Sequence, residues 1–149
     1  ARVIFFGQGP LQGAIRERVE QWGMTHAVRF AGFRDDLYKL LPCLDLVVHP
    51  AHMEGLGVSL LQAAAAGVPL VGYEAGGVPE IVREGVSGRL ISCGDVQGLA
   101  DAAVELLTNP EQALELGKGG QALVEREFSV AAMVRAYKEL YREVAKDHG

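Results

Sequence analysis

The sequence predicts an α/β fold in which a Rossmann-like parallel sheet carries helices on both faces. Short apolar runs alternate with amphipathic stretches along most of the chain, which is the pattern of parallel strands joined by helical crossovers. The runs are apolar without alternation, as strands covered on both faces require. A length of 149 residues corresponds to one domain with a substantial core.

Each predicted element has a local signal for its start or its end. The strands are apolar runs followed by glycine or polar residues, and we expect them at residues 3–6, 28–31, 46–48, 70–72 and 88–92. The helices begin at proline, glycine or a capping residue, and we expect them at residues 10–22, 35–41, 57–66, 79–84, 95–107, from 110 and from 129. The last helix has an apolar stripe from Val130 to Val144, which predicts a face packed in the core. The alternative is that this stripe docks against a missing N-terminal domain and is exposed in this chain.

Charge and composition argue against several classes of partner and site. The formal net charge is -5, so the basic surface that a nucleic acid requires is not expected. No apolar run is long enough for a membrane span, and no signal peptide is apparent. Cys43 and Cys93 are expected to be buried free thiols of a cytoplasmic protein. His49 and His52 have no carboxylate or cysteine partners at metal spacing, so no metal site is expected.

The segment of residues 49–57 is the strongest candidate for a ligand site. It joins a predicted strand to a predicted helix, and ligands of parallel α/β folds lie at the carboxyl ends of strands. The amides of Leu56, Gly57 and Val58 at the helix start, together with the helix dipole, are suited to a phosphate. Glu54 at the edge of this loop is suited to neutral hydroxyls, as on a sugar. The alternative is a simple strand-to-helix turn in which Glu54 interacts favourably with the helix dipole.

Two further glycine loops leave other interpretations open. Residues 7–13 form G-x-G-x-x-x-G after a strand, a spacing similar to that of dinucleotide-binding loops. The second strand ends without the acidic residue of an NAD site, and Arg34 there could instead meet a 2′-phosphate, so a nicotinamide-binding oxidoreductase domain stays an alternative. Gly76 and Gly77 precede another helix, where they either bring amides to the same ligand or form a tight turn.

A series of ordered motifs resembles one enzyme family. The motifs comprise residues 54–62, 63–71, 76–80, 85, 88 and 94–95, with further matches at 7–10, 28–33, 45, 128–129, 133 and 137. The pattern resembles the C-terminal, donor-binding half of a family-4 (group 1) retaining glycosyltransferase with the GT-B fold, and it covers nearly the whole chain.

The resemblance implies transfer of a sugar from a nucleotide diphosphate sugar with retention of anomeric configuration. It implies that Glu54 is the catalytic residue that contacts donor-sugar hydroxyls, and that Gly55, Leu56, Gly57 and Val58 face the sugar and the diphosphate. Enzymes of this fold generally need no metal, so no cofactor is expected beside the donor substrate.

This sequence departs from the family pattern in two ways. The second glutamate of the motif is Gln62 here, and a neutral amide should weaken the contact with the ribose hydroxyls by about 1 kcal/mol. The chain has no initiator Met and begins inside a predicted strand, so we expect residues 1–149 to be a C-terminal domain without its first strand and helix. The diphosphate-binding Arg and Lys and the N-terminal acceptor domain are then absent, and the fragment alone should be inactive. Phe33 and Arg34, at the end of the second strand, are positioned to meet the nucleotide base.

Two other functions remain compatible with the residues. A non-catalytic interaction domain of the same fold would explain Gln62 as a sign that the site has been lost. A nucleotide-sugar epimerase would share the same cleft.

Overall fold

The computed structural model describes residues 1–147 of the chain as two compact units. The first unit is Ala1–Leu37 and the second begins at Tyr38. The strands are β1 (Val3–Phe6), β2 (Val28–Gly32), β3 (Val47–His49), β4 (Leu70–Tyr73) and β5 (Gly88–Ile91). The helices are α1 (Gln12–Gln21), α2 (Leu37–Leu40), α3 (Val58–Ala65), α4 (Val78–Ile81), α5 (Val96–Thr108), α6 (Pro110–Leu123) and α7 (Val130–Asp147). A 3-10 turn (Leu41–Cys43) follows α2, and a π-helical turn (Val124–Phe128) joins α6 to α7.

The order of elements confirms the predicted alternation of strands and helices, with ends shifted by a few residues. Two predicted caps are in place. Asp95 Oδ1 accepts a hydrogen bond from the Gly98 amide at 2.8 Å, and Ser129 Oγ accepts one from the Ala132 amide at 3.2 Å. These side chains satisfy amides that have no partner inside the first helical turn.

The first unit holds a two-stranded parallel sheet formed by β1 and β2. Phe5 stacks on Phe30 with ring centroids 5.1 Å apart. The prediction that residues 3–6 form a fully covered strand is wrong, because Val3, Ile4 and Phe5 are exposed. Within this unit α1 contributes one buried side chain, that of Val19, which is too little to cover both faces of the pair.

The second unit holds a three-stranded parallel sheet in the order β3-β4-β5. One face of β4 packs through Val71 and Tyr73 onto α5 and α6, whose contributing residues are Leu99, Ala102, Leu106 and Leu116. On the other face Gly72 lies close to Val78 of α4. The predicted α/β class with helices on both faces of a parallel sheet is therefore confirmed in this unit. The sequence predicts one sheet, whereas the backbone hydrogen bonds between strands form two, of two and three strands.

The apolar stripe of α7 is exposed, so the prediction that it lies in the core is wrong. Exposure ranges from 40% to 73% across Val130, Met133, Val134, Tyr137, Leu140, Tyr141 and Val144. The helix makes its main packing contact with the π-helical turn at its start. Among the residues that the structure describes, the apolar side chains further along α7 are therefore largely exposed.

The expectation of buried thiols is also wrong, because Cys43 and Cys93 are both exposed. Cys43 ends a 3-10 turn that buries Leu41 and leaves Cys43 at the surface, and Cys93 lies in the loop after β5. Among the helices of residues 1–147, none combines the length and hydropathy needed to cross a membrane.

The π-helical turn is fixed by Glu127, whose carboxylate binds two arginines. Arg83 donates to both oxygens, at 3.0 Å from Nη1 to Oε1, and Arg126 Nη2 donates to Oε1 at 2.6 Å. These hydrogen bonds, that of Arg83 foremost, lower the pKa of Glu127 from 4.5 to about 2. Glu127 and Arg126 are exposed and Arg83 is partly exposed, so these ion pairs contribute little to the free energy of unfolding.

The depressed pKa of Glu127 makes its stabilising contribution depend on pH. Because the folded-state pKa is below the unfolded value, the contribution is present above about 4.5 and is lost as the pH falls toward about 2. We expect the difference in urea midpoint between wild type and Glu127→Gln to be largest near neutral pH and to disappear at the acid end of this window. Glu125→Gln removes a carboxylate from the same turn without touching Arg83 and serves as the control. A difference that stays constant with pH would contradict this prediction.

Candidate functional site

The candidate site lies at the carboxyl edge of the three-stranded sheet. Because β3, β4 and β5 are parallel, the loops that follow His49, Tyr73 and Ile91 emerge on the same side. Ligands of open parallel sheets bind in this place. Two contacts described below join these loops to one another, so they form one surface.

The start of α3 has no side-chain cap. Its N-cap residue, Gly57, has φ +81° and ψ +65°, a left-handed conformation that favours glycine. The Gly57 carbonyl accepts from the amides of Leu60 at 2.9 Å and Leu61 at 3.1 Å, so intrahelical bonding begins there. Leu60 is fully buried and anchors the helix, whereas Val58 is exposed. The first-turn amides and the helix dipole together make this end suitable for an anion.

The carboxylate of Glu54 is held from two sides. Its Oε2 lies 3.0 Å from His49 Nε2, and its Oε1 accepts from the Gly55 amide at 3.0 Å. Both side chains are partly buried, with 28% of Glu54 and 21% of His49 exposed. A carboxylate has about four acceptor positions, so capacity remains for ligand hydroxyls. The spacing of the residues gives no signal for this single contact, which forms because the loop after β3 turns back on the strand end.

Gly76 and Gly77 lie directly against the Glu54 loop. A Cβ at Gly76 would stand 2.0 Å from the carbonyl oxygen of Glu54, and one at Gly77 would stand 2.0 Å from that of Gly55. The Gly77 amide donates to the Glu54 carbonyl at 3.2 Å. That amide is therefore used within the protein, and the two glycines allow one loop to support the other.

His52 and Cys93 form the second contact between loops at this edge. Cys93 Sγ lies 3.2 Å from His52 Nδ1, and the His52 ring is 5.5 Å from that of Tyr73. This contact has no signal in the sequence spacing, because Cys93 lies 41 residues after His52. Across residues 1–147, no three His, Cys, Asp or Glu side chains are grouped so that they could hold a metal ion.

The other predicted site residues lie on different elements. Gln62 is exposed on α3. Phe33 and Arg34 belong to the first unit, where Phe33 is 74% exposed. Arg34 donates two hydrogen bonds to Asp36, at 2.7 Å and 2.6 Å, and this contact raises the pKa of Arg34. The structure thus brings Glu54 and its loop together with the Gly76–Gly77 turn, while Arg34 is already paired within its own unit.

The first unit lacks the close packing that a dinucleotide-binding loop uses. In that motif the third glycine allows the helix to approach the strand closely. Gly13 and Gly9 have open space in this unit, since a Cβ at either position would meet nothing within 4 Å. Residues 7–13 therefore have glycines at a spacing similar to that of the dinucleotide-binding motif but lack the close helix-to-strand packing of that motif.

Comparison with known proteins identifies the family. The family profile described as "Glycosyl transferases group 1" matches residues 1–109. The chain belongs to the group 1 glycosyl transferases. This group 1 chain is 33% identical over 147 residues to the N-acetyl-alpha-D-glucosaminyl L-malate synthase of Bacillus anthracis, with 99% of the chain and 39% of that protein covered.

Solved structures agree with the family assignment. The chain is similar to HepE of Anabaena in complex with UDP, with a TM-score of 0.87, 26% identity, and coverage of 96% of this chain and 41% of that one. The HepE complex with UDP-glucose gives a TM-score of 0.83 and 27% identity, with 95% and 41% covered. The fold is thus the α/β Rossmann-like fold of GT-B glycosyltransferases. The chain spans about two fifths of the length of these relatives.

Proposed function

We propose that this group 1 chain is the C-terminal, donor-binding domain of a retaining glycosyltransferase that takes its sugar from a nucleotide diphosphate sugar. One observation carries the proposal: the uncapped, positive start of α3 follows directly on the fixed carboxylate of Glu54. An anion and a set of hydroxyls, held a few atoms apart, are what a diphosphate joined to a sugar presents. The HepE structures in complex with UDP and with UDP-glucose support this class of ligand.

Under this proposal each part of the loop has its own role. The amides of Leu56, Gly57 and Val58 face the diphosphate, which gains negative charge as its bond to the sugar breaks. Preorganised amides and a helix dipole stabilise that developing charge without reorganisation, which is how such groups accelerate a reaction. Glu54 accepts hydrogen bonds from sugar hydroxyls and so aligns the ring. Gln62, further along α3, is the contact for the ribose.

The remainder of the enzyme completes the reaction under this proposal. An N-terminal domain supplies the acceptor site and the basic residues that bind the diphosphate, and the 149-residue chain alone binds donor weakly and transfers no sugar. The resemblance further leads us to propose a cytoplasmic location and a reaction that uses no metal beside the donor.

Chemical-shift mapping of the isotope-labelled chain tests donor binding. We expect UDP-glucose, GDP-mannose or ADP-glucose at millimolar concentration to shift the amides of residues 54–62, because the ligand lies against that backbone. Free glucose is the control for a sugar without a diphosphate. NADPH tests the nicotinamide alternative, which predicts shifts at Gln8 and Arg34 and none at Glu54. If none of the three nucleotide sugars shifts residues 54–62, the proposed function is wrong.

A further inference from the structure

His49 is a side chain of the site to which the proposed function gives no role. It is the last residue of β3, and its backbone is fixed in the ladder opposite Gly72. Its ring is 21% exposed, more than a side chain that only fills the core, and Nε2 points to Glu54 Oε2 at 3.0 Å. A rigid strand end therefore carries a hydrogen-bonding group directed at a carboxylate on a loop.

We propose that His49 is a positioning residue that holds the Glu54 carboxylate in the orientation in which it binds the donor sugar. This inference rests on the proposed function. A free glutamate side chain has several rotamers, and ordering them on ligand binding costs free energy. The contact from His49 restricts these rotamers before any ligand arrives, so the donor meets a carboxylate that is already aligned.

The hydrogen bonds to the two Glu54 oxygens show that His49 can orient the carboxylate without blocking access of a ligand to it. His49 binds Oε2 while the Gly55 amide binds Oε1, so each oxygen has one partner and keeps further acceptor capacity. The Glu54 backbone is fixed independently, because its carbonyl accepts from the Gly77 amide. The contact from His49 therefore restricts the Glu54 side chain to one orientation. The acceptor positions that remain on the carboxylate can still bind ligand hydroxyls.

The test compares His49→Leu with His49→Gln in the 149-residue chain. Leucine has similar bulk and no donor, whereas the glutamine amide nitrogen reaches the position of Nε2. Affinity is measured by NMR titration with whichever of UDP-glucose, GDP-mannose and ADP-glucose shifts the wild-type loop most. We expect His49→Leu to weaken binding by about threefold to tenfold, the loss expected for one hydrogen bond, and His49→Gln to restore it to within about twofold.

A second readout needs no donor. Hydrogen exchange at the Gly55 amide, which donates to Glu54 Oε1, is expected to be faster in His49→Leu than in wild type and unchanged in His49→Gln. His26→Leu is the matched control, because His26 contacts the Gly23 carbonyl in the first unit. Circular dichroism of each variant verifies that the fold is kept.

The outcomes separate this inference from the function on which it rests. Equal or tighter binding by a folded His49→Leu variant overturns the positioning role alone, and tighter binding would mean that His49 competes with the donor. Equally weak binding by both variants also overturns it, because ring packing would then be the cause. Failure of wild type to bind all three nucleotide sugars overturns the proposed function and the inference with it.

Discussion

Gly77→Ala is expected to lower the free energy of unfolding by about 1–3 kcal/mol, the usual cost of forcing extra volume into close-packed structure. The new Cβ would stand 2.0 Å from the Gly55 carbonyl oxygen, which is a backbone atom and cannot rotate aside. The φ of Gly77 is -83°, which any residue adopts, so the cost comes from the contact between the loops. Separation of the loops would also break the bond from the Gly77 amide to Glu54 and displace the proposed donor site.

The measurement is the urea midpoint followed by circular dichroism, with Gly55→Ala as the matched control. Gly55 lies in the other loop of the same contact, and a Cβ there would meet nothing within 4 Å. We expect the midpoint of Gly55→Ala to stay near that of wild type. If Gly77→Ala is as stable as Gly55→Ala, the two loops do not pack as described.

Glu54→Gln is expected to weaken nucleotide-sugar binding about fivefold, since hydrogen bonds to a charged group are worth roughly 1 kcal/mol more than neutral ones. Glutamine has the same shape and retains one acceptor oxygen. The variant therefore removes the charge and half of the acceptor capacity while the loop backbone keeps its bond to Gly77. NMR titration of residues 54–62 with UDP-glucose, GDP-mannose or ADP-glucose gives the affinity.

Glu115→Gln controls for the change in net charge, because Glu115 is an exposed residue of α6. We expect its nucleotide-sugar affinity to match wild type. If the affinity of Glu54→Gln equals that of wild type, the carboxylate does not contact the donor. The proposed donor site would then consist of the start of α3 alone.

Local signals in the sequence were sufficient for the order of elements and for the position of the candidate loop. Asp95 and Ser129 cap the helices that their residue types predict, since a cap needs only its own side chain and an amide three residues on. The strand-loop-helix of residues 47–65 was likewise visible, because the apolar run, the glycines and the amphipathic stretch are contiguous. The group 1 family could be named for the same reason, as its motifs follow one another in order.

Contacts between separate segments could not be predicted. The pairs His49–Glu54 and His52–Cys93 depend on how a loop turns and on which strand ends are neighbours, and neither has a spacing signature. The role of Gly77 was open for the same reason, since a tight turn and a close approach to a second loop call for the same residue.

The sequence by itself determined which segments are strands and helices, which face of each helix is apolar, and which family the motifs belong to. Only the tertiary structure decided what each face meets. The stripe on α7 and the residues Val3, Ile4 and Phe5 of β1 have the pattern of buried surfaces and yet are exposed. The spacing of apolar residues shows which face of a helix or strand is apolar. Whether that face is buried depends on a second element that packs against it and lies elsewhere along the chain.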